Sequence, residues 1–423
     1  MRVAIVGAGF VGLAAALRLV QRGVSVSLYE AARVPGGLAS GFSGNGWEWP
    51  VERFYHHIFT NDSAIIRLSR ELSWPPFFFR PTTSLYIEGV SYPFDSAGDL
   101  LSFPHLPLTL KVRMGLALSF LKIFPFWQPL ERLTAQGFLR GTMGNLGYQT
   151  VWEPLLRGKF GASASLVNAA WFWARVHKRT PDLGYFRRGF QGLADRLTET
   201  IIKQGGRTFF GQPIQEIISY GGRLRVRSSL GLESFDRVLV TVGTPLFLRL
   251  SVDLPDWYRA KLQRLSSMDA LVLLLVLRKP FMQGIYWLNI TDRSLPFLVM
   301  VEHTNMITPR HYGGNHLVYL GAYLPSDHRF FRHSPSGLRR LAIRQLRAIR
   351  RNFDPKDILD CFVFHSPQAQ PIVPVSYSKI RPGSRTPVPN LFLGNMDLVY
   401  PWDRGTNYAV ELGERLADEI LQP

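Results

Sequence analysis

The stretch that decides the fold of this chain lies at its start, where residues 2–20 read RVAIVGAGFVGLAAALRLV. Residues 2–6 form a short apolar run of strand size, and residues 13–20 have helical composition up to the break at Gly23. Residues 24–30, VSVSLYE, alternate with a period of two, which is the pattern of a β-strand. The order is therefore strand, glycine-rich turn, helix and strand, the unit from which open parallel α/β sheets are built.

The turn between the first strand and the helix carries three glycines at the spacing GxGxxG. Gly7 permits the tight turn, Gly9 lets the backbone approach a pyrophosphate, and Gly12 allows close packing of helix on strand. The start of the helix offers free N–H groups and a positive dipole end to phosphates. Glu30 closes the second strand, where a carboxylate accepts ribose hydroxyls and repels the 2′-phosphate of NADP. The stretch predicts dinucleotide binding and leaves NAD and FAD both open.

Further segments along the chain supply elements that suit the same domain. Gly36 and Gly37 follow the second strand directly and allow backbone close to a diphosphate. The patterns farther on predict an amphipathic helix over 193–203, a strand with a turn over 207–218, a hairpin over 224–235, strands over 236–243 and 390–395, and a closing helix over 408–421.

These pieces, in this order, resemble the superfamily of FAD-dependent amine oxidases, protoporphyrinogen oxidases and phytoene desaturases. The matching parts are the N-terminal fingerprint, the Gly36-Gly37 turn, the block GFQGLADRL…GG…PIQEI and the close LFLGNM…RGTNYAVELGERLA. They cover all three parts of the family's discontinuous FAD domain. The resemblance implies an FAD enzyme. A second complete GxGxxG for a nicotinamide is absent from the sequence.

The resemblance also implies cofactor contacts beyond the fingerprint. Ile214 would lie on the strand whose backbone meets the adenine, while Gly394 and Asn395 would meet the diphosphate and ribityl chain. The segment Gly405-Thr406-Asn407 would face the flavin pyrimidine, where N–H groups stabilise the charge of reduced flavin. The chain departs from the family's frequent residues at Leu38, where the family often has Arg, and at Asn395, where it often has Asp. FAD binding remains the expectation despite both departures.

A second, partial resemblance concerns the segment FYHHIFTND, residues 54–62. It is similar to a segment of UDP-galactopyranose mutases, which share the FAD fold, and Tyr92-Pro93-Phe94-Asp95 is faintly similar to a nearby one. Those enzymes use reduced flavin on a nucleotide sugar without net redox change. This activity is the alternative to an oxidoreductase.

The candidate catalytic residues lie in two segments. The mutase resemblance places His56 or His57 beside the flavin or substrate, and on an extended segment the two side chains point to opposite sides. The segment Tyr400-Pro401-Trp402-Asp403-Arg404 precedes the last helix, so Trp402 and Arg404 would stand at the isoalloxazine edge, and Arg53 and Arg404 are candidates for an anionic substrate group. A metal site is not expected, because no further Cys, His or carboxylate completes a ligand set near the histidines.

The predicted fold class is α/β, with a discontinuous Rossmann-type FAD-binding domain, a mixed-sheet substrate domain and a helical insert. Residues 1–95, 186–248 and 385–423 would form the FAD-binding domain. Residues 249–384 would form the substrate domain, and residues 96–185 the insert.

Composition and charge restrict the partners. The chain has 49 Lys and Arg against 31 Asp and Glu, a net charge of +18, which attracts polyanions. No zinc-finger spacing or ribonucleoprotein motif occurs, so we do not expect nucleic acid as a partner. The single cysteine, Cys361, is consistent with a reducing, cytoplasmic compartment and suggests a buried free thiol.

Two segments of predicted helix combine basic residues with apolar ones. Residues 111–127, KVRMGLALSFLKIFPFW, lie within a region from Leu100 to Leu130 that has no acidic residue. This segment is either an interfacial helix at the surface of the inner membrane or a buried core helix. Residues 337–353 predict an amphipathic helix with an arginine-rich face.

The sequence thus predicts a flavin-dependent oxidoreductase that moves a hydride from a small-molecule carbon substrate, apolar or lipid-linked, to FAD. A flavoprotein that binds FAD only structurally is a third hypothesis. The oligomeric state stays open.

Overall fold

The computed structural model describes residues 1–251 and 253–422 of the chain. The strands are β1 (Arg2–Val6), β2 (Ser25–Glu30), β3 (Gly41–Phe42), β4 (Val51–Glu52), β5 (Ile58–Phe59), β6 (Phe77–Phe79), β7 (Thr82–Ile87), β8 (Val90–Pro93), β9 (Leu183–Tyr185), β10 (Arg207–Phe210), β11 (Glu216–Tyr220), β12 (Arg223–Ser228), β13 (Gly231–Phe235), β14 (Arg237–Val240), β15 (Ser267–Leu277), β16 (Ile285–Ile290), β17 (Val299–Glu302), β18 (His316–Leu324), β19 (Ile358–Pro371) and β20 (Leu391–Leu393). The α-helices are α1 (Phe10–Val20), α2 (Ser63–Glu71), α3 (Ala97–Ser102), α4 (Leu108–Ile123), α5 (Ala135–Gly147), α6 (Glu153–Phe160), α7 (Ala169–Lys178), α8 (Gly189–Lys203), α9 (Thr244–Leu250), α10 (Asp256–Gln263), α11 (Pro335–Ile349), α12 (Tyr377–Ile380) and α13 (Thr406–Leu421).

A parallel sheet in the order β10-β2-β1-β14-β20 is built around the fingerprint strand. Residues 3–6 of β1 are buried between neighbours on both sides, and α1 packs against both α8 and α13. Because all the strands run in the same direction, their carboxyl ends, near Val6, Glu30, Val240 and Leu393, meet at one edge. The predicted strand-turn-helix-strand unit is confirmed, and with it the α/β class.

An antiparallel meander of β11, β12 and β13 leads from β10 back to the parallel sheet. Its β12–β13 hairpin pairs Leu224 with Phe235, the two ends of the predicted hairpin. Both side chains are buried, as expected for a strand pair that covers one face of a sheet.

A mixed sheet in the order β19-β15-β18-β17-β16-β7-β8 forms the second layer of the molecule. Its central strand β15 is almost entirely apolar because both of its faces are covered. Leu273 and Leu275 pack with Leu338 and Leu346 of α11, while the alternate residue Leu274 packs in the core that contains the parallel sheet. The mixed sheet is therefore held against the dinucleotide-type domain by one shared core.

The structure assigns residues 82–93 differently from the predicted division of the chain. Our boundaries put residues 1–95 in the FAD-binding domain, but β7 pairs in parallel with β16, and β8 pairs with β7, so both belong to the mixed sheet. Periodicity predicts that a segment is a strand but does not specify a partner about 200 residues away. The remaining domain boundaries stay a prediction.

Helices α3 to α7 occupy the predicted insert, residues 96–185. They pack around a separate core that includes Met114, Leu121, Met143 and Trp173. The segment 111–127 corresponds to α4, of which only Met114 and Leu121 are buried. The insert is thus a helical layer whose α4 directs most of its side chains outwards.

The predicted arginine-rich helix and the single cysteine can both be located in the structure. The arginine-rich helix is α11, which begins after Ser334, whose hydroxyl accepts a hydrogen bond from the Gly337 N–H at 3.2 Å. Cys361, expected to be buried, lies half-buried on β19, and burial raises the pKa of its thiol to about 11. Within residues 1–251 and 253–422, no helix combines the length and the apolar character needed to cross a membrane.

Candidate functional site

The fingerprint turn has the geometry that its glycines predict. Gly7 has a φ of +108°, in the region that disfavours side chains, and its N–H donates to the Tyr29 carbonyl at 2.8 Å. A Cβ at Gly12 would lie 2.0 Å from the Gly7 carbonyl oxygen, so the helix packs on the turn as closely as glycine allows. Any larger residue at position 12 would separate α1 from β1.

The Gly36-Gly37 turn lies directly beside the fingerprint. The Gly36 N–H donates to the Ala8 carbonyl at 2.8 Å, and a Cβ at Gly37 would stand 3.0 Å from the Gly9 Cα. Gly9 precedes α1 and has no side-chain cap, so the first N–H groups of the helix are directed at this side-chain-free cleft. Two glycine backbones and a helix N-terminus together suit the diphosphate of a dinucleotide.

The carboxylate of Glu30 fixes the two turns in place. One oxygen accepts the Ala8 N–H at 2.7 Å, and the other accepts the Ala32 N–H at 2.8 Å. Ile214 lies close to this end of β2, because the nearby Gln212 N–H donates to the Glu30 carbonyl at 2.9 Å. Its side chain is buried. The structure thus brings Glu30 and the Ile214 segment to the same end of the cleft.

At the opposite side of the fingerprint, Gly394 follows β20 at the carboxyl edge of the sheet. A Cβ there would lie 2.3 Å from Leu416 of α13, so glycine allows the last helix to pack against this strand end. The Asn395 amide nitrogen donates to the Val242 carbonyl at 3.2 Å and to the Thr244 hydroxyl at 2.9 Å. The Asn395 side chain is therefore committed to the protein, and its backbone carbonyl accepts the Leu398 N–H at 3.1 Å.

The last helix begins at the same edge with no side-chain cap at Gly405 and no acidic residue in its first turn. Thr406 and Asn407 are buried. The Asn407 side-chain oxygen accepts the N–H groups of Ala64 and Ile65 at 2.9 and 3.2 Å, so this side chain caps α2. What the segment offers to a cofactor is the N–H end of a 16-residue helix, with its partial positive charge.

The two predicted histidines lie in the segment between β4 and β5. The His56 Nδ1 is 2.5 Å from the Phe54 carbonyl oxygen, and its ring lies 5.5 Å from that of Phe190. The His57 ring is 5.7 Å from that of Trp287, and its Nδ1 has no hydrogen-bond partner in the described part of the chain. Burial lowers the pKa of His56 to about 4 and that of His57 to about 3. Both rings are therefore neutral at pH 7.

Tyr55 joins this segment to the mixed sheet. A Cβ at Gly321 of β18 would lie only 2.8 Å from the Tyr55 hydroxyl oxygen, so glycine at this position leaves space for the tyrosine. The Tyr55 ring packs edge-on against Trp287 at 5.1 Å and Tyr319 at 5.9 Å. The histidine segment thus packs directly against the mixed sheet, and we call the region where these two meet the loop before α13 the chamber.

The loop before α13 is the third part of this chamber. The Trp402 ring stacks with those of Trp173 and Tyr408 at 5.4 and 5.5 Å, so it packs against other aromatic rings and anchors the loop. The Arg404 guanidinium donates to the Ala369 carbonyl at 2.8 Å and lies 4.8 Å from the centre of the Tyr323 ring. Arg404 is a predicted catalytic residue whose guanidinium can still bind a ligand, because its partners are a carbonyl and an aromatic face.

Three residues of this chamber were missed by sequence reasoning, and all come from the helical insert. Lys159 of α6 and Arg175 of α7 reach Asp403 at 3.3 and 2.5 Å, and the Trp171 indole N–H donates to the same carboxylate at 3.0 Å. A lysine next to Phe160 and an arginine in the run AAWFWAR were the only visible signs. Among the described residues, no cluster of histidine, cysteine and carboxylate side chains could hold a metal ion.

The comparisons with known proteins agree with this geometry. The model of the family "Flavin containing amine oxidoreductase" matches residues 10–421. No curated protein sequence matched the chain. Among solved structures, an oxidoreductase from Methanosarcina mazei superimposes with a TM-score of 0.78 at 16% identity, covering 99% of this chain and 100% of the other.

Two further structures share the fold. Putrescine oxidase bound to putrescine has a TM-score of 0.76 at 17% identity over 100% of this chain and 99% of its own. Reduced UDP-galactopyranose mutase has a TM-score of 0.78 at 16% identity over 99% of this chain and 95% of its own. At these identities the similarity concerns the fold, whereas the family match spans nearly the whole sequence. The chain belongs to the flavin-containing amine oxidoreductase family and is an FAD-dependent oxidoreductase.

Proposed function

We propose that this oxidoreductase removes a hydride from a carbon atom of an apolar or lipid-linked substrate held in the chamber between the mixed sheet, the histidine segment and the Trp402–Arg404 loop. The observation that carries the proposal is the position of this chamber. Its loop wall leads directly through Arg404 and Gly405 into α13, whose N-terminus lies at the carboxyl edge of the parallel sheet. A ligand in the chamber is therefore next to the place where the sheet offers its cofactor cleft.

The residues around the cleft fit FAD. Gly7, Gly9 and Gly12, with Gly36 and Gly37, leave backbone that would hold the diphosphate, and Glu30, at the end of β2, would accept the ribose hydroxyls. Ile214 would lie at the adenine end, Gly394 and Asn395 would contact the ribityl chain, and the N–H groups of Gly405-Thr406-Asn407 would hold the pyrimidine ring. When bound, FAD supplies the acceptor for the hydride.

The chain's own groups orient the substrate and keep the chamber dry. The aromatic side chains Tyr55, Trp287 and Tyr323 line it with apolar surface. His56 and His57 are neutral, so neither places a positive charge beside a carbon that loses a hydride, and the His57 Nδ1 is available to a polar group of the substrate. Trp402 acts as a positioning residue that holds Asp403 and Arg404 in place.

The first experiment is anaerobic mixing of the purified holoprotein with candidate substrates. Flavin absorbance near ~450 nm, with FAD released on denaturation, is expected before mixing. Bleaching by a polyene precursor, a porphyrinogen or another reduced apolar compound, and recovery with oxygen or a quinone, would establish the proposed reaction. Protein that stays colourless after reconstitution with FAD would contradict the assignment of these residues to the cofactor.

A second candidate activity is the mutase type, in which pre-reduced flavin acts on a nucleotide sugar without net redox. It is favoured by the position of the FYHHIFTND segment, whose histidines border the chamber, and by the cationic side chains there, which suit a diphosphate. Turnover only by the pre-reduced protein, with unchanged flavin absorbance, would support it. Bleaching by substrate would exclude it.

An apolar or lipid-linked substrate would suit an enzyme that binds to membranes, and α4 provides an exposed apolar surface for this binding. Leu108, Val112, Leu116 and Phe120 stand at four-residue spacing with Ile123 beyond them, and all five are exposed. Val112, Leu116 and Phe120 border a surface groove of about 440 Å³ between α4 and α5. Residues 100–130 contain no acidic side chain, while the chain carries +18, so the occupant that complements this face is an anionic lipid surface. The enzyme thus acts as a peripheral protein at the membrane.

A further inference from the structure

We propose that the chamber binds an anionic head group of the substrate, a carboxylate or a phosphate, through Arg404, Arg175 and Lys159. The inference rests on the proposed function, because it names the class of substrate for that same chamber. It also separates this chain from enzymes whose substrates are protonated amines. The chamber holds more basic side chains than carboxylates.

The chamber contains one carboxylate and two cations that contact it. Asp403 accepts from Arg175 at 2.5 Å, from Lys159 at 3.3 Å, from the Trp171 indole at 3.0 Å and from the Gln370 amide at 3.4 Å. Despite burial, Lys159 and Arg175 hold the pKa of Asp403 well below its usual range, so it is ionised. Arg175 and Lys159 therefore share one carboxylate as their ion-pair partner.

Arg404 adds a third cation. In the described part of the chain, no carboxylate oxygen lies within 4.0 Å of its guanidinium, which contacts only the Ala369 carbonyl and the Tyr323 ring face. Burial, together with Arg175, lowers the pKa of Arg404 to about 10, so it keeps its charge at pH 7. The guanidinium retains three or more free N–H donors, which match a carboxylate or phosphate.

The cations repel one another. Burial and Arg175 lower the pKa of Lys159 well below its ordinary value, and Arg404 lowers it further. Placing like charges together inside a protein is costly unless an ion of opposite charge joins them. A bound anion would supply that ion, and Lys159 would then gain a second partner beside Asp403.

The surroundings specify an amphipathic ligand. Lys159 lies 5.1 Å from the Trp171 ring centre and 5.5 Å from that of Tyr323, and Arg404 lies over the same tyrosine. The head group would therefore be bordered by aromatic faces, against which an apolar chain packs. The same charges oppose an ammonium group at this place, so an acid with an apolar body fits and an alkylamine does not.

The test uses four ligands with one eight-carbon chain: octanoate, octyl phosphate, octanol and octylamine. Binding to the FAD-loaded protein is followed by calorimetry and by the change in the flavin spectrum. We expect one of the two anions to bind at least about tenfold more tightly than octanol, with octylamine weakest. The comparison of octanoate with octyl phosphate identifies the head group. Equal binding of anion and alcohol, or preference for the amine, would overturn the proposal.

Variants assign the effect to the named residues. Arg404→Gln is expected to weaken the preferred anion by roughly 10- to 100-fold and to leave octanol unchanged. Arg404→Lys is expected to retain part of the affinity, and Arg340→Gln, on the exposed face of α11, is the control. If Arg404→Gln instead lowers the FAD content while the remaining holoprotein keeps its anion affinity, the cations serve the cofactor and the proposal is wrong. Because binding is measured without turnover, an anion that binds but is never oxidised would count against the proposed reaction only.

Discussion

At the scale of single residues, Glu52 shows how burial creates a pH-sensitive group. The Glu52 carboxyl is fully buried beside the start of α8, where it accepts the Tyr185 hydroxyl at 2.6 Å and the Phe190 N–H at 2.7 Å. Burial raises its pKa to about 7, despite these two donors. The folded protein therefore holds this proton more tightly than the unfolded chain, whose carboxyl titrates near 4.5.

The sign of the linkage gives a prediction for Glu52→Gln. The carboxyl's contribution to stability is fully present below about pH 4.5 and is lost as the pH rises through 7, by about 3 kcal/mol for the wild type. Glutamine keeps the size and one acceptor oxygen but cannot ionise. Urea unfolding should therefore show the variant gaining on the wild type between pH 5.5 and pH 8.5. Glu199→Gln, at an exposed site whose ion-pair partner is Arg196, should show no such change, and an equal difference at both pH values for Glu52→Gln would contradict this explanation.

Residues whose role depends on near neighbours in the chain could be predicted from the sequence. Residues that meet from distant parts of the chain could not. Gly7 and Gly12 are constrained by a turn and a helix within six positions, so their spacing alone indicates their geometry. Lys159 and Arg175 reach Asp403 from more than 200 positions away. Nothing in their neighbourhood predicts that partner.

At the scale of elements, the coupling between α2 and α13 rests on one side chain. The Asp62 carboxylate, at the N-cap of α2, makes no capping bond to its own helix, and Asn407 of α13 accepts two N–H groups of α2 in its place. The Asn407 amide nitrogen also donates to Glu411 at 2.9 Å. The helix that faces the cofactor cleft is therefore fixed laterally by the helix that follows the histidine segment.

We predict that Asn407→Ala destabilises the protein by about 2–4 kcal/mol, because it leaves two buried N–H donors unpaired. FAD retention should fall with it, since the N-terminus of α13 loses its lateral support. Denaturant unfolding of apo and FAD-loaded protein measures both effects. Asn352→Ala, at an exposed position after α11, serves as the control, and a loss below about 0.5 kcal/mol at position 407 would refute the capping role.

Element limits were predictable because periodicity is local, whereas pairing was not. The hairpin predicted over 224–235 and the closing helix over 408–421 agree with β12–β13 and α13 within a few residues. The predicted FAD-binding range 1–95 included β7, whose pairing with β16 depends on how the two layers pack. For the same reason, the sequence did not predict that Asn407 caps α2.

At the scale of the whole molecule, charge and shape act together. The family resemblance correctly predicted the fold and FAD as the cofactor, and the fingerprint and the strand near the close of the chain lie in one sheet. The sequence left two interpretations of residues 111–127, an interfacial or a buried helix. The exposed row on α4 favours the first, because Leu116 and Ile123 are 68% and 76% exposed.

This surface predicts binding to vesicles of phosphatidylglycerol and much weaker binding to vesicles of phosphatidylcholine. Leu116→Asp combined with Ile123→Asp should reduce sedimentation with the anionic vesicles at least about tenfold, because two large apolar side chains no longer enter the interface and two negative charges oppose it. Leu230→Asp combined with Trp257→Asp changes the net charge equally at exposed apolar sites elsewhere, so it isolates the position of the row. Equal losses in both double variants would mean that net charge alone governs binding. A stable dimer of the wild type, separated by the α4 substitutions, would show that a second copy of the chain covers this face instead of lipid.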